Sequence, residues 1–415
     1  MTAVDESLSE HVVPLDPPLP RELAGELTRR VFFVAEEIRD FRLVEEHDRV
    51  TGVRVTGVRV TTPGADLPAG LTDKLNFLVL NEVLPQLGRE PKVIWRSAAH
   101  REPPPGMFDR LVADGAAFPV GEGQVALGEP VLGLMDDLDR VIRRIVVEEF
   151  GGTEFRYPTL IPVGVLERCG YLRSFPQHAM FATRLRSDVD VYREFVADAA
   201  DGAGIGGRVL DRCAGVDYCL PPTMCYHTFN QLTGATLPTP LSVFTARGKS
   251  FRHEARYHRT LARLWDFTIR EIVFLGPREQ VLGARERLLR RVTAFADELA
   301  VSGRCEVASD PFFGNADSAA QATSQRLLEL KYELQLDLAP VDSVAVGSFN
   351  FHERLFGDSF DISLAGSPGP AFSACAGFGL ERFAFALVCQ HGPDIASWPP
   401  AVRRALADPR KGDFS

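Results

Sequence analysis

The sequence predicts an α+β fold built on an antiparallel sheet, preceded by a small amino-terminal α+β unit. Three observations carry this. Beyond residue 106, strand-like and helix-like segments are interleaved without the strand–helix–strand rhythm of a doubly wound parallel sheet. Within that region, residues 250–276 read as two strands joined by a charged loop, a hairpin and therefore an antiparallel pair. Ahead of it, Arg101-Glu-Pro-Pro-Pro-Gly106 reads as a linker, because consecutive prolines continue neither a helix nor a strand ladder.

The elements follow in order. Residues 1–18 read as a flexible, acidic, proline-rich lead, with neither the basic start nor the apolar stretch of a signal peptide. From Pro20 to Leu43 apolar residues recur at helical spacing, at Leu23, Leu27, Val31, Val34 and Ile38. Val50 to Thr61 repeats Val-Thr-Gly-Val-Arg and reads as β structure broken by Gly52 and Gly57. Leu71 to Leu87 predicts a helix and Lys92 to Trp95 a short strand. The linker puts a boundary near residue 105, giving units 1–105 and 106–415. Leu134 to Phe150 predicts a charged amphipathic helix, stopped by Gly151-Gly152, with a strand from Thr153 to Tyr157 running into Pro158. A further helix is predicted from Ala319 to Leu334.

The 415 residues are 45% hydrophobic and 25% charged, the balance of an ordinary folded chain. A net charge of −10 gives no global attraction for nucleic acid, though a local basic patch is compatible with it. Up to Pro105 there are 13 Lys/Arg against 17 Asp/Glu, so the first unit is not a basic arm. No apolar run is long enough to cross a membrane. Seven widely spaced cysteines, an odd number, predict reduced thiols and a cytoplasmic setting.

The hairpin carries the chemistry. Alternate residues of a strand share a face, so Arg252 and Glu254 pair on the first strand, and Arg263, Phe267 and Glu271 on the second. Two arginines, two glutamates and an aromatic do not make a core face, since unpaired charges are expensive to bury. A nucleotide accounts for the set. Arginine presents a planar fork to phosphate oxygens, phenylalanine stacks on a base, and glutamate accepts from an adenine amino group. A surface hairpin laced with salt bridges is the other reading of the segment alone.

Phe251-Arg252-His253-Glu254, a loop, and Arg263 with Phe267 four positions on resemble motif 2 of class II aminoacyl-tRNA synthetases. Leu134 to Pro158 is similar to motif 1, and Gly377-Phe-Gly-Leu-Glu-Arg382, leading into a helix from Phe383 to Gln390, to motif 3. The resemblance implies a class II synthetase-like antiparallel sheet flanked by helices and, through motif 1, a homodimer. It implies that Arg252 holds the α-phosphate of ATP, Glu254 reads adenine, Arg263 assists the phosphates, Phe267 stacks on the base and Arg382 clamps the triphosphate. Arg252 and Arg382 are then the catalytic pair. It also implies Mg²⁺, although the carboxylates near Ser348-Phe349-Asn350 are Asp342 and Glu353, which do not match the usual ligand positions.

Cys225, Glu271 and Cys375 lie 46 and then 104 positions apart, so spacing alone does not make a metal motif of them, and Cys213 and Cys219 are near rivals of Cys225. Their order is similar to that in atypical zinc-dependent seryl-tRNA synthetases and, more closely, in the amino acid:[carrier protein] ligases related to them. That likeness extends over about residues 107–415, through Gly170-Tyr-Leu-Arg-Ser-Phe-Pro176, Asp310-Pro-Phe-Phe313, Leu330-Lys-Tyr-Glu-Leu334 and Ser348-Phe-Asn-Phe-His352. It implies Zn²⁺ on Cys225, Glu271 and Cys375, with a fourth position open for a substrate amine. It further implies activation of a small amino acid, glycine or alanine, by ATP, and transfer to the phosphopantetheine thiol of a carrier protein. tRNA is not the expected partner. A seryl-tRNA synthetase-like enzyme using residues 1–105 as an RNA arm, and an inactive paralogue, are the alternatives. The helix predicted from Ala319, with Arg326 and Lys331, reads either as a docking surface for an acidic carrier or as an ordinary surface helix. His352 reads equally as a substrate contact or a structural histidine.

Overall fold

The computed structural model describes residues 7–28, 30–48, 52–87, 92–200, 206, 208–238, 240–254, 260–310, 318–340 and 342–407. Hairpin loop residues 255–259 and Pro311 to Phe313 of the Asp310 stretch lie outside the described residues.

The amino-terminal residues do not form the expected lead and long helix. Leu8–Pro20 is a strand, and it pairs antiparallel with Gly52–Pro63, which pairs in turn with Asp40–Asp48. Pro14, Pro17 and Pro18 are tolerated because Leu8–Pro20 is an edge strand. Its Val13, Leu15 and Leu19 are buried. The helical spacing after Pro20 is real but local. Leu23, Leu27 and Val31 enter the core from short turns at 21–28 and 31–33, and Ile38 from the irregular segment after them, before the chain goes extended at Asp40. The glycines at 52 and 57 do not break the third strand, whose register shifts between Val44 and Glu45 on one neighbour and between Pro14 and Leu19 on the other. A helix Leu71–Leu78 continues through a π-helical turn Val79–Val83 and a 3₁₀ turn Leu84–Gln86 to cover this sheet.

The rest of the chain is organised by one eight-stranded sheet. Its order is Val93–Arg96, Gly303–Val307, Lys331–Ala339, Asp342–Phe351, Phe372–Gly379, Asp266–Gly276, Ser242–Phe251, Thr153–Phe155. Every neighbouring pair is antiparallel except the last. This is the α+β arrangement that the interleaved segments predict. The strand expected at 92–95 is the edge strand of this sheet.

Alternation assigns the two faces. Ile272, Phe274, Ala374, Ala376, Phe378, Phe349, Leu334 and Leu336 point to a buried layer. There the helix Arg278–Glu298, which follows the hairpin, packs on the central strands. Val131–Arg144, extended by a π-helical turn Ile145–Glu149, is the amphipathic helix expected from Leu134. Its Asp139 receives Nε and Nη2 of the buried Arg270 at 2.7 and 2.9 Å, tying helix to hairpin.

One helix is shorter than the sequence suggests. It spans Ser318–Leu327, and Lys331 to Leu334 belong to a strand. Glu329, with φ of 50°, reverses the chain between them. Lys331–Ala339 then alternates buried and partly exposed positions, so strand pairing overrides the helical spacing of its leucines. Among the described residues no helix is long and apolar enough to cross a membrane.

Candidate active site

The opposite face of the sheet is the floor of a cavity of about 380 Å³. Register explains which side chains reach it. Glu271 lies opposite Gly377, Gly377 opposite Ser348, and Ser348 opposite Glu333, so four strands set one row across the floor. Cys375 lies opposite Asn350, and Asn350 opposite Lys331, one step along. Gly377 keeps the floor clear: a Cβ there would come within 2.9 Å of the Ile269 side chain and 3.7 Å of Glu271 Oε1.

Cys225, Glu271 and Cys375 meet. Their ligand atoms all lie within 4.8 Å of one another, and all three residues are buried. Cys225 opens the helix Cys225–Gln231. Glu271 Oε2 accepts from the backbone N–H groups of Met224 and Cys225 at 2.9 and 3.1 Å, and from the Thr223 hydroxyl. It thereby satisfies donors that a helix start leaves unpaired, and fixes the thiol that follows. On the far side, Cys375 Sγ lies 3.4 Å from His352 Nε2 and 3.6 Å from Asn350 Nδ2. The rivals are elsewhere: Cys213 bonds to the Val209 carbonyl and Cys219 to that of Ile161.

The electrostatics of this cluster suit a cation. Burial, and then the neighbouring Cys375, push Glu271 up to about 8. Burial likewise raises the Cys225 thiol, while a hydrogen bond from it holds Cys375 low. Three acidic groups so placed cannot all ionise without a compensating charge. Two sulfurs and one carboxylate oxygen are a donor set that suits zinc and leaves room for a fourth ligand.

The arginines converge at the other end. Arg252 and Arg382 both line the cavity, and Phe267 lies beneath the Arg252 guanidinium, 5.5 Å from it to the ring centroid. Arg252 Nε donates to the Pro222 carbonyl at 3.0 Å, and Arg382 Nη1 to that of Ala345 at 3.4 Å. Burial and then the charge of Arg263 lower Arg382 to about 10, so it remains cationic at neutral pH. Such a pair with an open space between invites an anion.

The predicted strand faces need one correction. The first strand ends at Phe251 and the second begins at Asp266, so only Phe267 and Glu271 share a strand face. Arg252, Glu254 and Arg263 lie beyond the ladder. Glu254 and Arg263 are partners at 2.9 Å and stand beside the cavity rather than in its wall. Burial works against the charge of Glu254, but Arg263, followed by His178 and Arg382, brings it down to about 2.

No family model matches the chain. It is 34% identical over 272 residues to amino acid–[acyl-carrier-protein] ligase 1 of Bradyrhizobium diazoefficiens, covering 65% of this chain and 81% of that one. With ligase 2 of the same organism it is 33% identical over 315 residues, 73% of this chain and 89% of the relative. The chain belongs to the amino acid–[acyl-carrier-protein] ligase family. Type-2 serine–tRNA ligases are more distant. That of Methanococcus aeolicus is 24% identical over 69% of this chain and 56% of its own length.

The fold of this ligase is that of class II aminoacyl-tRNA synthetases. The structure of M. kandleri SerRS in complex with A. aeolicus tRNASec superposes with a TM-score of 0.65 at 22% identity, over 96% of this chain and 77% of that one. A span of 96% takes in most of the amino-terminal unit, for which the sequence offers no counterpart.

The ligase cavity also holds residues to which the sequence gave another role or none: Lys331, read there as an exposed docking cation or surface residue, is buried on the floor. Lys331 Nζ sits 2.6 Å from Asp310 Oδ1 and 2.9 Å from Glu333 Oε1. Gln325 clasps Asp310 twice, accepting from its backbone N–H at 2.7 Å and donating to Oδ2 at 2.8 Å. Lys331 and Glu333 sit two apart on the strand, a period-2 signal hidden by the helical reading of 319–334. Tyr171, within the Gly170–Pro176 stretch, and His178, which no pattern announced, line the wall from short helical turns. Of the carboxylates expected near Ser348, Glu353 is at the rim, paired with Arg278 at 3.4 Å, whereas Asp342 does not line the cavity.

Proposed function

We propose that this ligase activates a small amino acid with ATP and transfers it to the phosphopantetheine thiol of a carrier protein. One observation carries the reading: the Cys225–Glu271–Cys375 cluster and the Arg252–Arg382 pair open into the same cavity. An amine anchor and an anion clamp on one floor suit a substrate with an ammonium-derived nitrogen at one end and a nucleotide at the other. The naming of the two Bradyrhizobium relatives supports the carrier as acceptor.

In the first half-reaction a carboxylate oxygen of the amino acid attacks the α-phosphorus of ATP. A P–O bond forms and pyrophosphate departs. Arg252 would hold the α-phosphate and Arg382 the outer phosphates, offsetting charge as it shifts. Phe267 would stack on the base, and Glu254, positioned by Arg263, would accept from the adenine amino group. In the second, the carrier thiol sulfur attacks the carbonyl carbon, a thioester forms and AMP leaves.

Cys225, Glu271 and Cys375 would hold zinc. Bound there, the ion would take a neutral α-amine as its exchangeable ligand, selecting amino acids over plain carboxylic acids. Glycine and alanine are the substrates most consistent with the resembled family. Mg²⁺ would accompany ATP, with Asp310, Glu333 and Glu353 among the carboxylates lining the cavity. A homodimer follows from the motif 1 resemblance, and the exposed Phe118, Val120 and Leu132 beside that helix are suitable apolar contacts. Seven free cysteines are compatible with a reducing, cytoplasmic setting.

The experiment supplies purified protein with ATP, labelled glycine or alanine, and either phosphopantetheinylated carrier or tRNA. Label on the carrier is the expected result. Label on tRNA alone would establish the second reading, a seryl-tRNA synthetase-like enzyme. That reading draws on the fold likeness that includes the amino-terminal unit. The unit's excess of Asp/Glu over Lys/Arg weighs against it.

A further inference from the structure

The amino-terminal unit meets the elements that build the cavity in two places. The first is a chain of alternating charges. Glu82 Oε2 lies 3.4 Å from Arg30 Nε, Arg30 Nη1 2.7 Å from Glu26 Oε2, and Glu26 Oε1 3.6 Å from Arg326 Nη2. Arg30 and Glu82 are buried, and Glu26 and Arg326 are largely covered. Arg326 belongs to the helix Ser318–Leu327, which packs against the helical turns at 79–86. Its sequence neighbour on that helix is Gln325, whose amide holds Asp310 by two hydrogen bonds, and Asp310 holds Lys331 on the cavity floor. Consecutive residues of one helix therefore serve two masters: Arg326 the amino-terminal unit, Gln325 the cavity.

The second contact is on the nucleotide side. The Phe33 ring meets the His178 ring edge to face, at 6.0 Å and 86°. His178 is buried, lines the cavity, and pairs with His253 in both directions. Its Nδ1 lies 3.2 Å from the His253 carbonyl, and its own carbonyl accepts from the His253 N–H at 3.3 Å. His253 stands between Arg252 and Glu254.

We infer that the amino-terminal unit is a positioning element of the active site, setting Asp310–Lys331 through Arg326 and the Arg252–Glu254 segment through Phe33. An arm that binds a macromolecule at a distance has no use for a largely covered ion pair, Glu26 with Arg326, to the helix that braces the cavity floor. A buttress does, because cavity walls must be held to within fractions of an ångström to hold substrate well. Arg30, Glu26 and Arg326 are thus positioning residues with no expected contact to substrate. The inference rests on this cavity being the active site.

The test uses the full chain carrying Arg326→Gln, Arg326→Lys and Phe33→Ala, each checked for a cooperative unfolding transition. Amide hydrogen exchange is read in peptides covering 324–333 and 252–254. In Arg326→Gln, exchange should rise at 324–333 and not at 252–254. In Phe33→Ala the pattern should reverse, and Arg326→Lys should restore the parent behaviour. Amino-acid-dependent pyrophosphate exchange should follow, with KM for the amino acid raised about threefold to tenfold by Arg326→Gln and kcat changed less. Unchanged exchange and unchanged KM in folded Arg326→Gln and Phe33→Ala would overturn the inference. So would a uniform rise in both peptides, which reports a general loosening. Absence of pyrophosphate exchange in the parent protein would instead strike at the proposed activity, and the amide-exchange comparison would still decide the coupling.

Discussion

The Glu271 carboxylate and the Cys225 backbone are joined across two elements: Oε2 accepts the Cys225 N–H at 3.1 Å. The strand residue thus does two things with one side chain. One oxygen anchors the start of the helix that carries a thiol, and the other faces Gly377 and the cavity.

Replacing a ligand should therefore separate metal from fold. Cys375→Ser should lose most bound zinc and reduce amino-acid-dependent pyrophosphate exchange by about a hundredfold or more, while leaving the helix in place. Glu271→Leu should lose zinc and also lower the melting temperature, since Met224 and Cys225 would keep unpaired buried N–H groups at about 1–3 kcal/mol each. Metal analysis and thermal melts on the same samples check both. Zinc retained at parent stoichiometry in Cys375→Ser would remove the basis of the amine-anchoring proposal.

His352 is expected to tune the metal without binding it. Its Nε2 lies 3.4 Å from Cys375 Sγ and its Nδ1 3.2 Å from the Ser373 hydroxyl, so the ring is held against the sulfur. His352→Ala should weaken zinc binding by about tenfold or more. In cobalt-substituted protein it should also shift the sulfur-to-metal absorption band. Competition with a chromophoric chelator measures the first effect, and identical affinities would assign His352 to packing alone.

Glu254, beside the cavity, links its ion pair with Arg263 to acid stability. Burial alone would raise its pKa, but Arg263 leads the groups that lower it from 4.5 to about 2. A depressed carboxylate contributes stability above its unfolded value. That contribution, about 3 kcal/mol, should be lost as pH falls from about 4.5 toward 2. Denaturant unfolding of the parent should thus grow steeply easier across that window, and Glu254→Gln, already weaker at neutral pH, should show a flatter dependence. Parallel pH profiles for the two proteins would contradict this.

Arg252 should tolerate no substitute. Its guanidinium lies over Phe267 and donates to Pro222, so its plane is set before any ligand arrives. Arg252→Lys should keep the charge but lose the fork, lowering kcat for pyrophosphate exchange by about a hundredfold. Steady-state kinetics would measure it.

Much of the site was legible because its parts lie on strands with simple arithmetic. Phe267 and Glu271 share a face by parity, and Gly377 clears that face two residues after Cys375. What parity could not supply was the meeting of three distant residues. The sheet order brings them together, and no local spacing encodes it. Arg252, Glu254 and Arg263 could not be placed by parity, because the ladder ends before each of them. Lys331 and Glu333 were hidden because leucines at 327, 328, 330 and 334 mimic a helical stripe, while Glu329 turns the chain between them. In the amino-terminal unit, short turns bury helically spaced residues as efficiently as a continuous helix would, so the pattern was right and the element was not.

The strand Val93–Arg96 has a practical consequence for anyone who divides this molecule. Its residues pair with Arg304, Cys305 and Glu306, and Lys92 and Ser97 extend the seam by one bond at each end. A shortened protein beginning after the proline run would strip that border and leave Gly303–Val307 as a bare β rim, an invitation to sticky end-on assembly. A fragment starting just before Lys92 would keep its selvedge.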